Sequence, residues 1–206
     1  MAHPASRLRA LAAAFVAASV ALVPAPSTHA AGEPADGAAL VEISEWMTDP
    51  PDGQAEAEGE WVELVVVLAG SMAGISITDH DGAVDFTFDN ASSAAAGDFL
   101  VVYNGQPTSP GAHSPGTHYF ANKSSWTFDN NGDDLEVLSA SGQTLDSFAF
   151  GEGSAVDVIG QDAASLDEPP PPGATLARVH GVWTASAPTP GAENVALQGA
   201  HEAPLL

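Results

Sequence analysis

The sequence predicts an all-β fold built from antiparallel strands, on three observations. From Leu40 onward apolar residues recur with period two, turn residues punctuate the chain at short intervals, and no apolar segment past the first thirty residues keeps the helical period over a useful length.

Each element follows from its pattern. "ALVEISEWM", residues 39–47, reads as a first strand. "EWVELVVVL", residues 60–68, alternates and then turns continuously apolar, as expected of a strand that passes from a solvated edge into the middle of a sheet; it is the best core candidate. "ISITDHDGAVDFTFD", residues 75–89, holds two short strands around Asp81-Gly82, a dipeptide suited to a tight hairpin turn. Alternation in the second places Val84, Phe86 and Phe88 on one face and Asp85, Thr87 and Asp89 on the other. "DFLVVYN", residues 98–104, is a strand, and "GQPTSPGAHSPGTH", residues 105–118, is too rich in Pro and Gly to continue a ladder and reads as a long surface loop. Residues 128–151, "FDNNGDDLEVLSASGQTLDSFAFG", pack a turn at Asn131-Gly132, a strand with Leu135 and Val137 inward, a turn at Ser141-Gly142 and a returning strand. Residues 151–173 read mostly as loop, ending in the stiff "DEPPPPG", after which "GATLARVHGVW" adds a last strand and "TASAPTPGAEN" winds down in turn chemistry.

The chain begins with an address. Arg7 and Arg9 precede an apolar run over residues 10–23, and Thr28 and Ala30 supply the small residues of a cleavage site, so residues 1–30 read as a secretory signal peptide cut after Ala30. The run is shorter than the ~20 residues a membrane-spanning helix requires, and no later segment is long enough to span after the signal is removed. The expected organisation is a flexible segment over 31–38, one domain over 39–194 and a disordered tail over 195–206. Past the signal, Lys123 and Arg178 stand alone against all 27 acidic residues, a balance that argues against nucleic acid and anionic lipid as partners. With no Cys to form a disulfide, stability rests on burial, which favours a full-sized sandwich.

Three segments in order carry a family resemblance. "ISEWMTDPP" (43–51) with "GEWVEL" (59–64), then "NNGDDLEVLSASGQTLDSFAFG" (130–151), then "GATLARVHGVWTASAPTPGAEN" (173–194) resemble the lamin-tail domain family, secreted prokaryotic members in particular. The resemblance implies an immunoglobulin-like antiparallel β-sandwich and a binding, tethering or structural module that brings no catalytic residues with it. The chain departs after "GEWVEL", where members commonly have a polar turn and a Gly-Trp and this chain has "VVVLAGSMAGISITD", which bears on local strand register.

Several residues invite chemistry. Asp129, Asn131 and Asp133 alternate like the first ligands of an EF-hand loop, but Asp134 stands where that loop requires Gly and Ala140 where it requires Glu. Turn corners that bond their own backbone are the favoured reading, with Ca²⁺ the alternative. His113 and His118 flank the Pro/Gly loop at a spacing that fits no zinc box, so a two-His transition-metal site is the lesser reading. Glu45, Glu60 and Glu63 lie on or beside two strands that should pair; a close carboxylate pair can do acid/base work, while a solvated sheet face is the simpler expectation. Asp79-His80-Asp81 reads as a turn, and Ser154 lacks the glycines of a nucleophile elbow. Trp46, Trp61, Trp126 and Trp183 are candidates for a sugar-stacking platform, with core packing the favoured role. Asn90 and Asn122 begin N-glycosylation sequons.

The expected function is that of a secreted, non-catalytic, salt-adapted extracellular module without a cofactor, whose partner is an extracellular or cell-surface protein or polysaccharide. The alternatives are a small secreted metal-dependent hydrolase and a calcium-stabilised surface structural protein.

Overall fold

The structure, a computed structural model, describes residues 37–52, 59–79, 83–105, 117–122, 128–151, 164–166 and 168–195. The signal peptide, His113, Trp126, Ser154 and nearly all of the expected C-terminal tail lie outside the described residues.

The described chain is all-β. Its strands are β1 (Leu40–Met47), β2 (Trp61–Leu68), β3 (Gly70–Ser71), β4 (Ser76–Asp79), β5 (Val84–Thr87), β6 (Ser93–Ala94), β7 (Phe99–Tyr103), β8 (Thr117–Phe120), β9 (Gly132–Leu138), β10 (Thr144–Gly151), β11 (Ala164–Leu166), β12 (Thr175–Val179) and β13 (Val182–Ser186). A six-stranded sheet runs β13-β12-β1-β2-β7-β8, a five-stranded sheet runs β11-β10-β9-β4-β5, and β3 pairs with β6. The pairs are antiparallel except β7–β8 and β10–β11.

The two larger sheets pack through a single core to which Ile43, Trp46 and Leu64 contribute from the first and Ile77, Leu135 and Phe148 from the second. Trp46 is its centre, fully buried and edge-on to Phe128, Phe148 and Phe150 at ring separations of 4.9, 6.4 and 5.2 Å. A bulge in β1 brings it there. The pairing with β2 slips between Ile43 and Glu45, so that Ile43 opposes Leu64, Glu45 opposes Glu63 and Trp46 opposes Val62. The residue added at Ser44 resets the alternation, sending both Ile43 and Trp46 inward and Glu45 outward. Strict period two would have turned Trp46 out.

A second slip corrects the expected alternation in β5. Ile77 opposes Phe86 but Thr78 opposes Val84, which leaves Asp85 in the bulge. Val84 is therefore exposed at 48%, while Asp85 is buried and its Oδ2 accepts the amide of Asp79 at 3.1 Å. Phe86 and Phe88 stay on one face, turned to the core, and meet Tyr119 of β8 at 5.8 and 4.9 Å.

Two further expectations are revised. Thr117 and His118, read as the end of a loop, begin β8, which pairs in parallel with β7. The last strand is a hairpin: His180 and Gly181 both have positive φ, 51° and 80°, as a two-residue primed turn requires, and Val179 faces Val182 across it. His-Gly is a weak turn signal, which is why a single strand was expected.

Candidate functional site

The bulge at Ser44 that turns Trp46 inward also places two carboxylates side by side on the opposite face of the six-stranded sheet. Glu45 and Glu63 are direct cross-strand partners and both are fully buried. This overturns the expectation of a solvated acidic face. The cover is residues 187–195, which follow β13 and contain "TPGAEN".

The segment bonds to the pair through successive groups. The Thr189 amide donates to both Glu45 oxygens at 3.1 Å, and Thr189 Oγ1 lies 2.9 Å from Glu45 Oε2. Thr175 Oγ1 on β12 donates to Glu45 Oε1 at 2.5 Å. The Gly191 amide donates to Glu63 Oε2 at 2.5 Å, whereas Glu63 Oε1 is buried without a hydrogen-bond partner among the described residues. Asn194 completes the closure, its Nδ2 donating to the carbonyl and hydroxyl of Ser44 at 2.8 and 3.0 Å and to the carbonyl of Arg178 at 3.3 Å. The carbonyl at the bulge is thus satisfied by a side chain 150 residues away.

Among the described residues no cation balances the two acids. Among the described residues the ion pairs are those of Arg178 with Glu42 and with Asp146, and neither reaches Glu45 or Glu63. Burial pushes Glu63 up to about 8, with the Glu45 charge adding to the rise and the Gly191 amide opposing it. Glu45 is also raised, by burial first, against hydrogen bonds from Thr175 and Thr189. Chemically the pair is two adjacent carboxyl groups whose burial disfavours the charged form. Its carboxyl groups meet the chain's own hydroxyls and amides, with no exposed surface facing solvent.

Glu60 is buried as well, in a different role. Its Oε1 accepts the Phe128 amide at 3.0 Å and its Oε2 accepts from Asn104 Nδ2 at 2.9 Å, which fastens the entry to β2 to the exit of β7 and the approach to β9. The three glutamates of "ISEWM" and "GEWVEL" are all internal ties.

The acidic turn before β9 bonds its own backbone. Asp129 Oδ1 accepts the amide of Asn131 at 2.9 Å and its Nδ2 at 3.2 Å; Asp133 accepts the amides of Asp129 at 3.0 Å and Asp134 at 2.8 Å. Burial raises Asp133 to about 6. This is corner geometry, and among the described residues no group of three or more His, Asp or Glu is arranged to hold a metal ion. His118 sits on β8 with its ring 5.7 Å from that of Tyr103.

The tryptophans form no common platform among the described residues. Trp46 is core; Trp61, 4% exposed, lies 6.4 Å from Tyr103 in a small cluster with Met47 and Val101; Trp183 stacks on Phe148 at 3.8 Å. Asn90 and Asn122 are exposed. Asp79 ends β4, and its neighbours His80 and Asp81 lie outside the described residues.

One junction was not legible in the strand pattern. Asp146 on β10 accepts the Ile43 amide and Arg178 Nη2, each at 2.8 Å, while Arg178 Nη1 reaches Glu42 at 2.7 Å. The Arg178 guanidinium also lies 5.1 Å above the Trp183 ring. Burial raises Asp146 despite the opposing pull of Arg178. The scarcity of basic residues was the available signal: a lone Arg amid so many acids has few reasons to sit on a strand other than to hold one of them.

Comparison with protein-family models and with curated proteins finds no match to the chain.

Proposed function

We propose that the chain is a secreted, non-catalytic module of the lamin-tail type, an immunoglobulin-like sandwich that binds, tethers or adheres outside the cell. The observation that carries this reading is the convergence of the resembling segments on one another. "ISEWM", "GEWVEL" and "TPGAEN" meet at Glu45, Glu63 and Thr189, and "TLDSFAF" joins "ISEWM" through Asp146 and Ile43. Residues shared with such a family are in this chain spent on internal closure. Function then falls to surface loops and sheet edges, which vary freely on a closed scaffold. The excess of acidic residues argues away from nucleic acid, and the partner in this reading is an extracellular or cell-surface protein or a polysaccharide.

The test pairs activity with binding. The purified protein is incubated with generic esterase, phosphatase and nuclease substrates, with and without Zn²⁺ or Ca²⁺, and is applied in parallel to immobilised polysaccharides and to envelope fractions of its own host. Saturable retention without turnover is the expected result. Metal-dependent turnover, abolished by chelation, overturns the reading in favour of a hydrolase.

A further inference from the structure

We infer that Glu45 and Glu63 form a proton-operated latch: a proton held by the pair clamps residues 187–195 over the six-stranded sheet, and its loss lets the segment go. Hydrogen-bond directions around Thr189 require the proton. Asn194 Nδ2 faces the carbonyl oxygens of Ser44 and Arg178, so the orientation of that amide is set and its Oδ1 must be the atom that meets Thr189. Thr189 Oγ1 then lies 2.9 Å from two oxygens, Asn194 Oδ1 and Glu45 Oε2, with a single proton to donate. An ionised Glu45 leaves one of these contacts without a hydrogen. A proton on Glu45 Oε2 satisfies both, passing one hydrogen bond to Thr189 and another on to Asn194.

Burial gives the same answer independently. Two adjacent, fully buried carboxylates with no cation in contact among the described residues cannot both ionise at ordinary cost, and they titrate as a unit. Among the described residues the surrounding elements bring hydroxyls, from Ser44 and Thr175, but no cation. On β7 the Tyr103 phenol is itself pushed up to about 12, by burial and then by the Glu63 charge; His118 on β8 lies beyond it, ring to ring at 5.7 Å. On β12 the Arg178 guanidinium is directed to Glu42 and Asp146, Thr175 offers a hydroxyl, and Glu193 of the segment itself is exposed. Every polar group that residues 187–195 offer the pair is a donor from Thr189 or from the amides that follow it; these donors favour the ionised form, and it is the burial the segment itself imposes that outweighs them and ties its closure to a proton.

The sign follows from the direction of the shifts. The proton is shared by the pair, whichever oxygen carries it: Glu63, coupled to Glu45, is held near 8 when the segment is closed and returns toward its ordinary 4.5 when it opens, so closure is favoured below the lower value and lost as pH rises through the upper one. Between them the open population grows about tenfold per pH unit for one proton released, and then levels off.

Amide hydrogen exchange of the purified protein between pH 5 and 9 reads this directly. After division by the intrinsic exchange rate, peptides covering Thr189 and Gly191 should lose protection by about tenfold per pH unit up to about pH 8, while peptides from β9 and β10 change far less. Glu63→Gln, which keeps the acceptor for Gly191 and removes the acid, should erase the step that ends near pH 8. Should that variant not fold, the carboxyl carbon resonances of labelled native protein serve instead: a glutamate titrating well above its ordinary range, in step with the Thr189 and Gly191 amide shifts, supports the latch. Protection of residues 187–195 that is independent of pH, or that falls equally in Glu63→Gln, overturns it.

Discussion

The main-chain amide of Ile43 donates to Asp146 Oδ2 at 2.8 Å, joining β1 of the six-stranded sheet to β10 of the five-stranded sheet across 103 positions of sequence. The same oxygen takes Arg178. Asp146→Ala strands both a buried amide and a largely buried guanidinium, and should lower unfolding stability by about 3–5 kcal/mol. Glu42, with a side chain 43% exposed, completes the outer half of the same bridge, and Glu42→Gln should cost less than about 1 kcal/mol. Urea denaturation of the two variants checks the contrast; equal losses would mean that Asp146 adds nothing beyond a surface ion pair.

Gly151 and Gly142 share a left-handed conformation, with φ of 77° and 79°, and differ in what surrounds them. A Cβ on Gly151 would stand 2.2 Å from the Asn131 carbonyl oxygen, whereas one on Gly142 meets nothing within 4 Å. Gly142→Ala should cost about 1–2 kcal/mol from backbone strain alone. Gly151→Ala should cost a further 1–3 kcal/mol or so for displacing the turn that opens β9. Thermal melts that rank the two in the reverse order would contradict the packing at the β9–β10 junction.

Stability should fall as pH rises from mildly acid to mildly alkaline at fixed ionic strength. Asp133 is raised to about 6 and Glu63 to about 8 in the folded chain, against ordinary values of 3.8 and 4.5. Groups raised on folding lend stability that is complete below the unfolded values and is withdrawn as pH passes the folded ones. The melting temperature should therefore decline from pH 5 to pH 8.5, and Glu63→Gln should flatten the upper half of that decline. A melting temperature that climbs over this range removes the basis for a protonated pair.

Salt should act in the opposite sense. With 27 acids and few bases, carboxylate repulsion disfavours the compact state unless it is screened. The Debye length contracts from about 10 Å at 0.1 M to about 3 Å at 1 M. The melting temperature is expected to climb steeply with NaCl over that interval and to respond weakly to millimolar CaCl₂, since Asp129 and Asp133 already accept backbone amides. Equal gains from millimolar CaCl₂ would reveal calcium sites and displace the corner assignment.

The fold class and the position of most strands are legible in the chain alone, because period-two alternation and turn residues are local properties. "EWVELVVVL" became β2, "DFLVVYN" contains β7, and Leu135 and Val137 face the core as their alternation requires. The rest depends on long-range packing wherever a single inserted residue changes the count. At Ser44 and at Asp85 a bulge reverses which neighbours face inward, and no local signal marks either one. The burial of Glu45 and Glu63 was illegible for a further reason: their environment is made by Thr189, Gly191 and Asn194, more than 120 residues away, as the separations of 144 and 128 positions show. A glutamate on a strand is solvated or buried according to what the rest of the chain lays across it, and desolvation is a property of the assembled fold that no stretch of sequence carries alone.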